Sequence, residues 1–235
     1  MKPVIETHGL CKSYGGRTVV DHLDLTVPQG CVYGFLGPNG AGKSTTMKML
    51  LGLVHPTGGS VELLGHTLNE ENRIGLLRQT GSLIESPSGY LHLTARENLA
   101  IAADLKGVER RDIDRVLDVV HLTSAANRKV GQYSLGMKQR LGIATALLGS
   151  PKLLILDEWL LYPLKEAEAR DVLELVEARN KVASTIFCSQ YDTSEWHENL
   201  YDPTLADAIC DRIIYNAYTV QIEGESMRKR MGMTE

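Results

Sequence analysis

Short apolar runs broken by turn residues fill the first quarter of the chain. Val4 to Glu6, Leu23 to Val27, Cys31 to Leu36 and Ser60 to Leu63 read as strands. Gly15-Gly16, Pro28-Gln29-Gly30 and Pro56-Thr57-Gly58-Gly59 separate them as turns. From about Leu93 to Ser150 the period lengthens. Ile113, Val116, Leu117 and Val120 fall on one helical face, with Arg111, Asp114, Arg115 and Asp118 on the other. A helical lobe is predicted over about residues 87–150. Leu153 to Leu156 then returns to a short continuous apolar run, Leu164 to Val176 is helical, and Ser184 to Cys188 is again a strand. Arg212 to Tyr215 and Thr219 to Glu223 read as a closing pair of strands around Asn216-Ala217-Tyr218, while Ser194 to Pro203 is polar and irregular. Strands alternating with helices imply an α/β fold with a mostly parallel core sheet, to which the N-terminal strands add an antiparallel portion. The 235 residues read as one such domain, with the helical lobe inserted in it.

Composition narrows the class without naming a chemistry. Apolar residues are 43% and charged residues 23%, with a formal charge of −4, which is ordinary for a globular protein and asks for no nucleic acid. Cys11, Cys31, Cys188 and Cys210 form no CxxC pair and read as reduced and structural, as in the cytoplasm. Met1 to Cys11 lacks a signal-peptide core, and no apolar stretch approaches about 18 residues. The basic cluster Arg228-Lys229-Arg230 reads as a solvated terminus.

The chemistry lies just after the Cys31 to Leu36 run. Gly37-Pro38-Asn39-Gly40-Ala41-Gly42-Lys43-Ser44, with Thr45 following, matches the phosphate-cradling pattern GxxxxGK[ST]. Its glycines let backbone amides approach phosphate oxygens, Lys43 brings a positive charge to the terminal phosphates, and the Ser44 hydroxyl is a Mg²⁺ ligand. Met47, Leu50 and Leu51 continue at helical spacing, so the loop opens a helix whose positive end favours an anion. A second half-site follows Leu153-Leu154-Ile155-Leu156. Asp157 ends that run as a carboxylate for Mg²⁺, and Glu158 is the candidate base that orients an attacking water.

The loop GPNGAGKST, the segment Tyr133-Ser134-Leu135-Gly136-Met137-Lys138-Gln139-Arg140-Leu141 and the run LLILDE, in that order, resemble the nucleotide-binding subunit of ATP-binding-cassette transporters. The middle segment resembles the family's LSGGQ signature, with Leu135 and Met137 in place of a glycine and the glutamine. Resemblance implies that Ser134 and Gly136 form a second anion site, closing on the γ-phosphate held by another subunit. By residues alone, Ser134 is equally a helix N-cap. Tyr14 lies where the family keeps an adenine-stacking aromatic, a place ordinary packing also explains. Gln79 and Glu85 compete for the glutamine-loop position, which in the family links the Mg²⁺ site to the transmembrane partner. Leu93-Thr94-Ala95-Arg96-Glu97-Asn98-Leu99, similar to the family's LTVRENL stretch, favours Glu85. The run IGLLRQTGSLIESPSGYLHLTARENLAI resembles the subgroup that protects bacteria against lantibiotics and bacitracin.

The likeness weakens after Glu158. Leu164 falls where the family has an aspartate that couples two nucleotide sites, and Gln190 ends the strand that should lead to a switch histidine. Gln190 still offers a neutral hydrogen bond, about half as strong as a charge-assisted one. His197 is no substitute, since seven residues of helix would displace it by about 10 Å. The expectation is therefore an ATP- and Mg²⁺-dependent ATPase that is slow or partner-dependent, forms a homodimer, and couples to a membrane permease at the inner face of the membrane. The competing expectation is an ATP-binding dimerisation module with little or no hydrolysis.

Overall fold

Gly15 and Gly16 take positive φ and fold β1 (Ile5–Tyr14) back onto β2 (Arg17–Val27), the left-handed pair that a tight hairpin needs. In the computed structural model, which describes residues 2–85, 89–160, 166–191, 195–196, 200, 203–211 and 217–221, this hairpin is half of an antiparallel sheet ordered β2-β1-β4-β5, with β4 at Gly58–Leu63 and β5 at His66–Thr67. Both hairpin strands are longer than expected. One face of an antiparallel sheet meets water, so polar residues such as Lys12 and Ser13 extend β1 without leaving the ladder.

The second sheet is parallel throughout, ordered β6 (Thr80–Leu83), β7 (Leu153–Leu156), β8 (Ser184–Ser189), β3 (Val32–Leu36) and β9 (Ala217–Gln221). β3, β7 and β8 are buried at every position, as strands covered on both faces must be. Tyr33, Phe35, Leu153, Ile155 and Ile186 face one core with α1 (Lys43–Leu50) and the antiparallel sheet. Val32, Leu36, Leu154, Leu156 and Phe187 face a second core with helices from later in the chain. The guanidinium of Arg179, buried at the end of α6 (Glu166–Arg179), bonds through each of its three nitrogens. It donates to the Thr185 hydroxyl and to the carbonyls of Pro151 and Ser184, tying α6 to the amino ends of β7 and β8.

Between β6 and β7 lie α3 (Ala95–Lys106), α4 (Asp112–Val119) and α5 (Leu135–Leu147), preceded by α2 (Arg73–Arg78). Thr94 starts α3 with a capping box: its hydroxyl accepts from the Glu97 amide, and the Glu97 carboxylate accepts from the Thr94 amide. Ile113, Val116 and Leu117 of α4 are buried with Val120, so the predicted apolar face is the one that packs. β6, a four-residue strand containing Gly81 and Ser82, lacks the apolar run that would mark it in the residues. A Cβ at Gly81 would lie 2.1 Å from the Ala146 carbonyl oxygen, so the strand exists where glycine lets α5 come this near.

The chain's end differs from expectation. Ala217 and Tyr218, read as a turn, belong to β9, which pairs in parallel with β3, while Arg212–Tyr215 and Leu164 fall outside the described residues. Pro203, read as irregular, opens α7 (Pro203–Cys210), since proline's fixed φ suits a first helical turn.

Gly81→Ala should lower stability by about 1–3 kcal/mol, because the obstructing atom is backbone. Gly75→Ala in α2 meets nothing within 4 Å and should gain up to about 1 kcal/mol of helix propensity. Urea midpoints moving in opposite directions check the pair; equal midpoints would contradict the packing of β6 on α5.

Candidate functional site

β3 ends at Leu36 and the chain turns through Gly37 to Gly42 into α1, so the loop and the first turn of α1 sit at the carboxyl edge of the parallel sheet. Gly42 caps the helix with φ 93°, where a Cβ would lie 2.8 Å from the Val19 carbonyl oxygen. Glycine is thus required by backbone conformation and by β2 packed behind the loop. The Lys43 side chain folds back over the loop and donates to the carbonyls of Gly37 (2.6 Å) and Pro38 (3.0 Å). Only 8% exposed, its ammonium is pulled below the usual lysine range by burial, against the opposing charge of Asp157. Pro38 has no N–H to offer a phosphate, so its part in the loop is its carbonyl and its shape.

Register places the second half-site beside the first. Leu83 of β6 pairs with Leu156 of β7, and the Asp157 amide donates to the Leu83 carbonyl. Asp157 is 6% exposed and bonded to Ser44, and its Oδ2 has no hydrogen-bond partner. Burial pushes its pKa above the ordinary carboxylate range. Glu158 follows in a left-handed conformation (φ 55°), and its carboxyl is also raised, by burial and then by the charges of Asp157 and Glu85. A buried carboxylate with one unclaimed oxygen, beside a hydroxyl, is an oxygen donor set that fits Mg²⁺.

A cleft of about 450 Å³ joins these groups, lined by Asn39, Gly40, Gly42, Lys43, Ser44, Thr45, Asp157, Glu158 and Gln190. Gln190 reaches it from the end of β8, its side-chain oxygen accepting from Asn39 Nδ2. Val19 and Trp159 also line the cleft. Sequence reading passed over both: Val19 carries no motif, whereas Trp159 directly follows Asp157-Glu158 and could have been flagged. Trp159 is held by its amide on the Cys188 carbonyl, its own carbonyl on the Ser189 hydroxyl, and edge contacts to Phe187 and Trp196.

Glu85 and Gln79 separate cleanly. Gln79 ends α2 ahead of the amino end of β6, with its side chain back on the Gly75 carbonyl. Glu85 lies past the carboxyl end of β6, in a left-handed conformation (φ 59°), paired with Lys48 at 2.5 Å and near enough to raise both neighbouring carboxyls. Tyr14, half exposed under the Lys12 ammonium, is not in the cleft wall; nor are Ser134 and Gly136. Ser134 caps α5 by accepting from the Met137 amide.

The sign of the Asp157 shift generates a test. Its folded pKa is raised, so the stability it contributes is full below the unfolded value and lost as pH rises through the folded one. Asp157→Asn should therefore raise the melting temperature of the ligand-free protein at neutral pH, by a few degrees at about 2–4 °C per kcal/mol, and abolish any further rise with Mg²⁺ and nucleotide. A scan with and without ligand checks both; a lower ligand-free melting temperature would refute the assigned strain.

Comparison with known proteins agrees with this geometry. A family model described as ABC transporter matches residues 20–161; a second, for IstB-like ATP binding protein, matches residues 95–234 and so leaves out the phosphate loop. The chain is 47% identical over 198 residues to the bacitracin transport ATP-binding protein BcrA of Bacillus licheniformis, covering 83% of this chain and 64% of that protein. It is 42% identical over 194 residues to the lantibiotic transport ATP-binding protein SrtF of Streptococcus pyogenes, covering 82% of each. The chain thus spans just under two thirds of the first relative's length. A solved ATP-binding subunit of an ABC transporter shares the fold, with a TM-score of 0.75 at 24% identity over 98% of this chain and 94% of that one. With its phosphate loop and the Asp157-Glu158 pair both inside the matched segment, the chain belongs to the ABC transporter family.

Proposed function

We propose that this chain is an ATP-hydrolysing, energy-coupling subunit of an exporter that protects against a peptide antibiotic, folded as one nucleotide-binding domain. The observation that carries the reading is the convergence of Lys43, Ser44, Asp157 and Glu158 at one sheet edge. The antibiotic assignment is supported by relatives whose names specify bacitracin and lantibiotic transport. Amides of Gly40 to Thr45 at the α1 N-terminus receive the phosphates, Lys43 offsets their charge, and Asn39 sets the loop against Gln190. Ser44 and Asp157, with Glu85 beside them, would hold Mg²⁺, which supplies charge neutralisation at the β- and γ-phosphates.

Glu158 takes the proton from the attacking water as its oxygen bonds to the γ-phosphorus and the bond to the ADP oxygen breaks. Gln190 donates a neutral hydrogen bond to the γ-phosphate, which makes turnover slow in the isolated subunit. Tyr14 stacks on adenine. Ser134 and Gly136, outside this chain's own cleft, serve the cleft of a second copy, so the homodimer holds two ATP molecules. Closure passes to a separate permease, which keeps the chain at the cytoplasmic face of the membrane; no described helix is long and apolar enough to cross one itself.

Phosphate release from Mg-ATP tests the reading. Lys43→Ala should lose nucleotide binding, and Glu158→Gln should bind normally but turn over about 10²-fold or more slowly, as loss of a general base predicts. Gln190→His should raise turnover about tenfold, a change of about 1.4 kcal/mol in the barrier. Turnover indifferent to Glu158→Gln would overturn the assignment. The pH profile adds a check: Glu158 acts deprotonated and its carboxyl is raised, so the acid limb of kcat/KM should lie above the ordinary glutamate value of about 4.3.

A further inference from the structure

On the N-terminal hairpin, the β1–β2 ladder breaks in a way that gathers three metal-binding side chains. Leu10 pairs with Leu23 and Lys12 with Val20, so one residue of β1, Cys11, faces two of β2, Asp21 and His22. This is a β-bulge. In a regular strand Asp21 and His22 would point to opposite faces. Here His22 adopts φ 44°, a left-handed conformation uncommon for a residue with a side chain. One ligating atom each of Cys11, Asp21 and His22 consequently lies within 4.8 Å of the others.

Backbone contacts fix the sulfur in place: the His22 amide donates to Cys11 Sγ at 3.2 Å, and the thiol lies 3.4 Å from the Gly9 carbonyl. An imidazole nitrogen of His22 is 2.7 Å from Asp21 Oδ1, so carboxylate and ring are already oriented together. Ladder bonds lost around the bulge are replaced by side chains, with the Gly9 amide donating to Asp24 Oδ1 and the Leu25 amide to Thr7 Oγ1. Asp24 and Thr7 thereby fix the backbone that carries the trio. Both Asp21 and His22 are about four-fifths exposed, so an ion has free entry.

We infer that Cys11, Asp21 and His22 form a binding site for Zn²⁺, with water as the fourth ligand. A thiolate, an imidazole and a carboxylate are a borderline-soft set that suits Zn²⁺ and not Mg²⁺. Tetrahedral bonds of about 2.0–2.3 Å place ligand atoms about 3.5 Å apart, which the trio reaches by small side-chain rotations. On binding, the Cys11 thiol releases its proton to solvent as the sulfur–zinc bond forms, so affinity rises with pH. Val19, two residues before Asp21, walls the phosphate cleft, which puts the ion on a strand shared with the nucleotide site.

Zn²⁺ titration of the full chain, stripped with chelator and free of nucleotide, against a chromophoric competitor tests this site separately from ATP binding. One equivalent should bind, and Co²⁺ in its place should give a sulfur-to-metal charge-transfer band. Cys11→Ser should abolish the band. His22→Asn, chosen because asparagine tolerates left-handed backbone, should weaken binding about tenfold or more. Cys31→Ser should change neither. Where Cys11→Ser fails to fold, Zn²⁺ should instead slow alkylation of Cys11 in the unmodified chain, and His22→Asn should remove that protection. Unchanged Zn²⁺ affinity in Cys11→Ser or His22→Asn, or no stoichiometric binding at about tenfold excess, overturns the site.

Discussion

Strands β3, β7 and β8 have no wet face, and that constraint organises the protein. Every side chain along them must be apolar or fully bonded, so charge can gather only where the strands stop. At the carboxyl edge Asp157 and Glu158 lie beside one buried ammonium, Lys43, while Glu85, close to both carboxyls, pairs with Lys48. The ligand-free arrangement is electrostatically unfinished. Burial raises Asp157 and Glu158 and lowers Lys43, and Asp157 keeps an oxygen without a donor. A polyanion bound with a divalent cation completes this set, and glycine at position 42 keeps the loop near enough for it to do so.

Much of this was legible in the residues because the phosphate loop is a local device. Eight consecutive positions specify turn, charge and hydroxyl, and the flanking strand and helix follow from apolar spacing. The α4 face was equally readable, since its period is set by four residues within two turns. What escaped depends on distant partners. β6 is a strand because Gly81 lets α5 approach, and β9, expected from Thr219, begins two residues earlier because Ala217 and Tyr218 pair with β3. Val19 lines the cleft only because the hairpin packs behind Gly42. Gln79 and Glu85 compete in the sequence, with the family resemblance favouring Glu85; opposite ends of one short strand separate them.

The departures from the family pattern have a structural setting. Trp159, directly after Glu158, joins Phe187 and Trp196 in an aromatic group under the sheet edge. Trp196 is fully buried and its indole N–H donates to the Tyr191 carbonyl, one residue beyond Gln190. The phosphate loop meets the ends of β7 and β8 through Gly37, whose amide donates to the Ser189 carbonyl, through Asn39 on Gln190, and through Ser44 on Asp157.

The amide pair of Asn39 and Gln190 bears on how the cleft responds to acidity. Imidazole changes charge between about pH 5 and 8, and a latch built on it would loosen or tighten across that interval. Carboxamides carry no such proton. The tether between the loop and β8 is consequently indifferent to acidification, and the acid sensitivity of the cleft falls to carboxyl groups such as Asp157 and Glu158.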